Sequence, residues 1–435
     1  MRIIHMVVDV LSGDDVVVGR KESTLREFGK RGTGFIGRVV MSKGANPVLG
    51  RRVLMDMSTS HVMLVLGKRG YGKSYTLGVI LEELASLPFS VKSRTSVIVI
   101  DTVGIFWTMK VPNKPQAELL QKWGLQPKAF DVNVLVPKSA LPFYLEHEMP
   151  VDGYFAINTA DMGIEEWLGL FNLELDSEAG ALLAGAVAEA EEKGAYTVDD
   201  LIQIVRNSDA KPHIKKSVEM RLVAAKKWEL FDPNAPRVVD LVKPGAINII
   251  DVSTFKTALG SASLREVVVA ILGKRIFEER MKYRKVEEIS EIREGKNISR
   301  MPLVWMIIDE AHLFMPRDRK SLSKAVLSDW IRVGRQPGLS LILATQRIDR
   351  LSDDAITQAD IILGHRITSY LDIKALSSVR PTYVGESLDK SLASLPHTRG
   401  LAVLLDDVTE KLWVIRVRPR MSWHGGGSAS ALVKL

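Results

Sequence analysis

The chain has 435 residues, 46% of them hydrophobic and 26% charged, with a formal net charge of +7 and no cysteine. Its length and apolar content suffice for two or three packed units, and the missing cysteines exclude structural disulfides, cysteine-based zinc sites and thiol nucleophiles. The positive charge favours a polyanionic partner, with a dispersed basic surface as the alternative. The longest apolar runs are too short to span a bilayer and no signal-peptide pattern opens the chain, so a cytoplasmic protein without membrane attachment is expected.

Residues 1–57 mix short β-rich pieces (residues 3–10, 14–19, 34–41 and 51–57) with closely spaced glycines. This pattern predicts a small β-meander or partial barrel packed beside the next segment. That segment, HVMLVLGKRGYGKSYTLGVILEE over residues 61–83, is an apolar strand, the pattern GxxxxGK[ST] from Gly67 to Ser74, and an apolar-periodic helix. The chemistry of such a loop is specific. Backbone N–H groups of Gly67, Lys68, Arg69, Gly70, Tyr71, Gly72, Lys73, Ser74 and Tyr75 cradle a polyphosphate, Lys73 reaches the β- and γ-phosphates, and the Ser74 hydroxyl ligates Mg²⁺. ATP and Mg²⁺ are the expected cofactors.

RTSVIVID predicts a second buried strand ending at Asp101. A carboxylate there either orients water, Mg²⁺ or a neighbour's basic group, or caps a turn. Residues 112–236 change character: one strand-like stretch, FDVNVLVP, then four helical patterns, read as a mainly helical insertion on the core. Between Lys211 and Lys227 the last of these carries six basic residues against Glu219 alone. Such a face suits a DNA backbone or an acidic partner, or is simply solvated. The core resumes over residues 237–420 with the strand GAINIIDVS, followed by a helix from Ser263 that runs into a charged segment of nine basic and six acidic residues between Lys274 and Arg300.

LVWMIIDEAH then ends an apolar strand in Asp309 and Glu310, a Walker B pair: Asp309 holds the metal shell and Glu310 activates the attacking water. The helix from Ser321 to Val333 leads into a Gly-Arg-Gln-Pro-Gly turn with Arg335 exposed, and the strand LSLILATQ ends on Gln346, a candidate γ-phosphate sensor. Two further strands close the sheet, Lys411, Arg416, Arg418 and Arg420 make the last one basic, and residues 421–435 read as a mobile tail.

Taken together these motifs resemble the HerA branch of the HerA-FtsK superfamily of P-loop ATPases. The resemblance runs over roughly residues 47–420, from PVLGRRVLMDMSTSHVMLVLGKRGYGKS through VIVIDTVGIFW, MRLVAAKKWELFD, GAINIIDVS and MIIDEAH to GRQPG and LILATQR. It implies an α/β fold, a RecA/ASCE-like P-loop NTPase core with a mainly parallel sheet. It also implies a homo-oligomer, a hexameric ring that threads duplex DNA, with a NurA-type nuclease as partner in DNA end processing. Position by position, Lys73 and Ser74 match the phosphate-loop residues, Asp309 and Glu310 the metal and water-activating acids, Gln346 the sensor, Asp101 the acid after the second strand, and Arg335 an arginine finger offered in trans. Two departures stand out. The segment before the loop is shorter than a complete HerA N-terminal barrel, and Arg69 and Tyr71 replace small residues, with both side chains expected to point outward. A second reading keeps the motor but gives it a protein cargo, as in secretion or pilus ATPases. A third, a regulatory switch without translocation, does not need the acid pair and the finger together.

Overall fold

Every residue of the runs at 95–101, 247–251, 339–345 and 361–364 is buried, as strands covered on both faces must be. The computed structural model describes residues 15–42, 47–255, 264–295, 301–367, 369–378, 392, 395–396 and 398–427. The strand expected over residues 3–10, the helix start at Ser263 and the end of the tail from 428 lie outside them.

Thirteen strands among the described residues form one sheet: β1 (Val16–Val18), β2 (Thr33–Val40), β3 (Leu49–Asp56), β4 (Val62–Leu66), β5 (Thr95–Asp101), β6 (Asn133–Pro137), β7 (Gly153–Phe155), β8 (Ile247–Asp251), β9 (Leu303–Ile308), β10 (Leu339–Thr345), β11 (Ile361–Gly364), β12 (Leu401–Asp406) and β13 (Lys411–Val417). Their order is β1-β3-β2-β13-β12-β11-β4-β10-β9-β5-β8-β6-β7. From β11 to β7 all pairings are parallel, while β11, β12, β13, β2 and β3 pair antiparallel. Successive side chains of one strand enter opposite cores. On β4, Leu64 and Leu66 face one core and Met63 and Val65 the other; on β9, Met306 and Ile308 oppose Trp305 and Ile307.

The first core is covered by helices α2 (Ile164–Phe171), α3 (Glu178–Glu192), α4 (Val198–Asn207), α5 (Pro212–Lys226), α6 (Leu264–Glu294) and α7 (Leu322–Val333), and the second by α1 (Lys73–Ala85) and the N-terminal strands. The segment 112–236 is therefore helical for most of its length, yet it also supplies β6 and β7, which close one edge of the same sheet through β8. The segment before residue 57, expected as a small β-meander or partial barrel, lengthens the other edge of the sheet: β2 pairs with β13 and β3 with β2. A short helix, Glu22–Phe28, precedes it. No helix among the described residues is long and apolar enough to cross a membrane.

Two basic stretches acquire partners that the sequence does not show. On α5 and its start, Lys211 pairs with Glu178, Lys216 with Glu219 and Lys226 with Asp199, Arg221 donates to Ser217, and Lys215 donates to two carbonyls. Three of the six cations thus face carboxylates of α3, α4 and their own helix, and Glu219 is shared with Arg206, so the stretch keeps a net positive charge. Arg418 and Arg420, read as a basic strand exit, are fully buried. Both are drawn in by Glu82, a buried carboxylate of α1. It accepts from Arg418 at 2.7 Å, Arg420 at 3.5 Å, the N–H groups of Met421 and Ser422 at 3.0 and 2.8 Å, and the Ser422 hydroxyl at 2.6 Å. Arg418 also reaches Glu83 at 2.6 Å and the Phe35 carbonyl at 2.8 Å. Residues 421–423, grouped with a mobile tail from sequence, are consequently pinned: Ser422 is buried and bridges to Pro112.

His61, at the entrance to β4, is also buried and ion-paired. Nδ1 lies 2.7 Å from Asp360 Oδ2 and Nε2 3.1 Å from Thr59 Oγ1, whose own hydrogen goes to Asp56 at 2.8 Å. Both ring nitrogens therefore donate. Burial opposes the charge, but the bonds to Asp360 and Asp56 prevail and raise the pKa to about 9. Because the folded value lies above that of the free side chain, this stabilisation is complete below about pH 6.5 and is lost as pH rises through 9. Unfolding free energy should fall over that window by roughly 1.4 kcal/mol for each unit separating the two pKa values. Denaturant titrations at a series of pH values check this: His61→Gln should be flatter than the wild type there, and equal slopes would contradict the pairing.

Candidate functional site

Parallel β4, β9, β10 and β11 present their carboxyl ends along one edge, where the crevice of an α/β sheet gathers ligands. β4 leads into the loop 67–72, and α1 starts at Lys73 behind Gly72, whose φ is +114° and which offers no capping side chain. The first N–H groups of α1 thus lack a side-chain acceptor, the arrangement that receives an anion. Lys68, Arg69 and Gly70 are exposed and Tyr71 half-buried. The loop rests on the exit of β11: Lys68 N–H donates to the Arg366 carbonyl at 3.1 Å. A Cβ on Gly67 would stand 2.7 Å from the Cβ of His365, so the backbone there admits only glycine.

The Walker residues converge. The Ser74 hydroxyl donates to Asp309 Oδ2 at 2.7 Å, and Gln346 Nε2 donates to Glu310 Oε1 at 3.0 Å. Glu310 occupies the left-handed region at φ 51°, ψ 47°, a strained setting for a side-chain-bearing residue and one that concentrates at working sites. Its second oxygen, Oε2, is buried without a hydrogen-bond partner, an acceptor left open for a water or another donor. Burial and then neighbouring Asp309 raise the Glu310 pKa, while Lys73 counteracts them. Lys73 is itself largely buried, which lowers its pKa against the attraction of Glu310 and Asp309. The ammonium stands 3.5 Å from the Lys68 carbonyl, folded over its own loop.

The Ser74–Asp309 pair supplies two hard oxygen donors in contact. That suits Mg²⁺, which takes one or two protein oxygens and completes its shell with water and phosphate. Ser74 and Asp309 would hold the ion, whose charge would offset that gathering on phosphate oxygens. The Tyr75 side chain serves another purpose: its hydroxyl accepts the Arg420 N–H at 2.7 Å and its ring packs edge-on against His424, so only its backbone faces the loop. Asp101, left between two readings, is a turn cap. Its carboxylate accepts the N–H groups of Val103, Gly104, Ile105 and Phe106 at 2.7–3.1 Å, which commits both oxygens. Burial and the adjacent Asp251 nevertheless push its pKa to about 7.

Arg335 does not join this group. It lies between α7 and β10, at the amino end of a strand whose carboxyl end carries Thr345 opposite Leu66. A seven-residue strand rises about 20 Å, farther than a guanidinium extends, so Arg335 cannot serve the loop of its own chain. Two histidines missed as site residues do sit at the edge. His312 Nδ1 is 3.0 Å from Thr345 Oγ1 and 3.5 Å from Glu310 Oε2, linking the turn after β9 to the end of β10. His365 lies beneath the loop, donating through Nδ1 to the Leu401 carbonyl at 3.0 Å and accepting from the Thr76 hydroxyl at 2.9 Å. Burial lowers both pKa values to about 4, so both are neutral. Their signal in the sequence was position alone: each directly follows, or nearly follows, the carboxyl end of a buried strand.

A largely parallel sheet with this loop, Ser74–Asp309 pair and Glu310–Gln346 pair defines a P-loop NTPase fold of the strand-inserted, additional-glutamate type. VirB4 of Thermoanaerobacter pseudethanolicus shares the fold, with a TM-score of 0.54, 15% identity, and coverage of 89% of this chain and 96% of that one. The family model described as "Helicase HerA, central domain" matches residues 35–276, more than half of the sequence, and the chain belongs to that family. It is 23% identical to the DNA double-strand break repair helicase HerA of Saccharolobus solfataricus over 79% of this chain and 60% of that protein. It is 22% identical to a probable helicase of Methanocaldococcus jannaschii over 86% of this chain and 66% of that one. The chain thus spans less than two thirds of the curated relatives it matches.

Proposed function

We propose that this protein is a ring-forming ATP hydrolase that moves along duplex DNA, with each nucleotide site completed by Arg335 of the neighbouring copy. The observation that supports the reading is that the loop, Asp309, Glu310 and Gln346 lie at the carboxyl edge of the parallel strands while the exposed Arg335 lies at their amino edge. A surface and its complement on different sides of one chain make a head-to-tail contact, which closes into a ring when the rotation permits. A hexamer is the assembly expected here.

Phosphoryl transfer asks mainly for positioning and charge neutralisation. In this reading the start of α1 and Lys73 hold the β- and γ-phosphates, Ser74 and Asp309 hold Mg²⁺, and Glu310 takes a proton from the attacking water through its open Oε2 while Gln346 fixes the other oxygen. Lys73, buried beside two carboxylates, supplies a charge that solvent screens little. Arg335 from the next copy faces charge that grows only in the transition state, so hydrolysis depends on assembly. The relatives named as DNA double-strand break repair helicases and the +7 net charge support DNA as the track.

Three measurements test this. ATP turnover should rise several-fold with duplex DNA at low salt and lose that rise as salt increases; a hexamer with no response to DNA would favour the protein-cargo motor instead. Glu310→Gln should retain ATP and turn it over at least about a hundredfold more slowly, and near-wild-type hydrolysis would remove Glu310 as the base. Arg335→Ala should bind ATP and assemble as the wild type does but hydrolyse it about 10³-fold or more slowly; loss of assembly with turnover retained per assembled site would make the residue structural.

A further inference from the structure

The turn that carries Arg335 is five residues long, begins and ends on glycine, and exposes only Arg335 and Gln336, a composition that by itself would leave the arginine loosely held. It is fixed from beneath by a buried guanidinium. Arg280 of α6 is fully enclosed. Its Nε donates to the Pro337 carbonyl at 2.7 Å, and one terminal nitrogen donates to the Met301 carbonyl at 2.6 Å and to Glu287 Oε1 at 2.9 Å. The other terminal nitrogen lies 3.4 Å from Glu287 Oε2. Glu287 follows Arg280 by two helical turns on the same face and is buried too.

The backbone around Arg335 is closed on both sides. Gly338 N–H donates to the Arg335 carbonyl at 3.3 Å, Leu339 N–H to the Gly334 carbonyl at 2.8 Å, and Gly334 N–H to the Trp330 carbonyl at 3.0 Å. Trp330 Nε1 in turn donates to the Gly273 carbonyl of α6 at 2.9 Å. Gly338 has φ +83°, and a Cβ there would meet Leu303 Cδ2 at 2.2 Å. The turn is therefore seated on the base of β9, the strand that leads into Asp309, and Arg280 ties the two together through Met301 and Pro337.

We propose that Arg280 is a positioning residue for Arg335: its three-way clamp fixes the turn so that the exposed guanidinium meets the neighbouring copy's nucleotide in one orientation. The proposal rests on the reading of Arg335 as the arginine that acts in trans. A group that must meet a developing charge within hydrogen-bond distance depends on such support, because small displacements cost large factors in rate.

The test is turnover and trans-complementation in the full chain. Arg280→Met combined with Glu287→Gln leaves no buried charge unpaired. This variant should keep wild-type affinity for a non-hydrolysable ATP analogue and wild-type KM, and lose at least tenfold in kcat. Co-expressed with Lys73→Ala, whose own site is dead but whose Arg335 is properly seated, it should regain turnover, since its intact site now receives a held arginine. Should the double variant not fold, Arg280→Lys, which keeps a charge opposite Glu287, should show the same loss and the same recovery. Wild-type kcat alongside an inactive Arg335→Ala overturns the role of Arg280 and leaves that of Arg335 standing. A loss that co-expression does not recover places the defect in the variant's own site and also overturns it. An Arg335→Ala protein with normal turnover overturns the trans-acting arginine, and the role of Arg280 with it.

Discussion

The carboxylate of Glu82 ties together parts of the chain that are hundreds of residues apart. It lies fully buried in the phosphate-loop helix, where a lone charge would be prohibitive, and is tolerated because two guanidinium groups and three further donors surround it. Through Arg418 the same network reaches Glu83 and the Phe35 carbonyl. The helix that must hold a polyphosphate is thereby fixed to the N-terminal strands on one side and to the end of β13 on the other. Removing any single charge strands its partners in a dry interior, at a cost of about 3–5 kcal/mol.

His365 supports the loop from the opposite side. A neutral imidazole with one nitrogen on the Leu401 carbonyl and the other on the Thr76 hydroxyl spans α1, β11 and β12, and its Cβ lies so near Gly67 that the loop has one path available. The phosphate loop is held by neighbours on both flanks. Rigidity of that kind matters for phosphoryl transfer, where catalysis comes from dipoles and charges already in place. The strained Glu310 backbone and the bond from Gln346 extend the same principle to the acid.

The motifs themselves were legible in the linear sequence. A glycine-rich loop between strand and helix, an apolar strand ending in two acids and a polar strand end have local causes: φ angles that favour glycine, runs of buried residues, and charged side chains only at strand termini. Basic stretches were harder to read, because charge along a sequence does not say what faces it. The cations of α5 meet carboxylates of α3 and α4, and Arg418 and Arg420 turn inward to Glu82. Asp101 was undecided for a similar reason: the four N–H groups it caps lie in the turn that follows, and only their geometry distinguishes a cap from a ligand.

What the sequence determined alone is the identity and order of the loop and acid motifs, since those rest on local backbone conformation and fixed positions at strand ends. What tertiary structure decided is everything that rests on strand order and burial. Placing β10 between β4 and β9 brings Ser74 to Asp309, and placing β11 beside β4 sets His365 under the loop. The parallel register of β10 then puts Arg335 about a strand's length from its own loop. Long-range pairing of this kind leaves no periodic trace in a sequence, because each partner satisfies its own local pattern wherever the other lies.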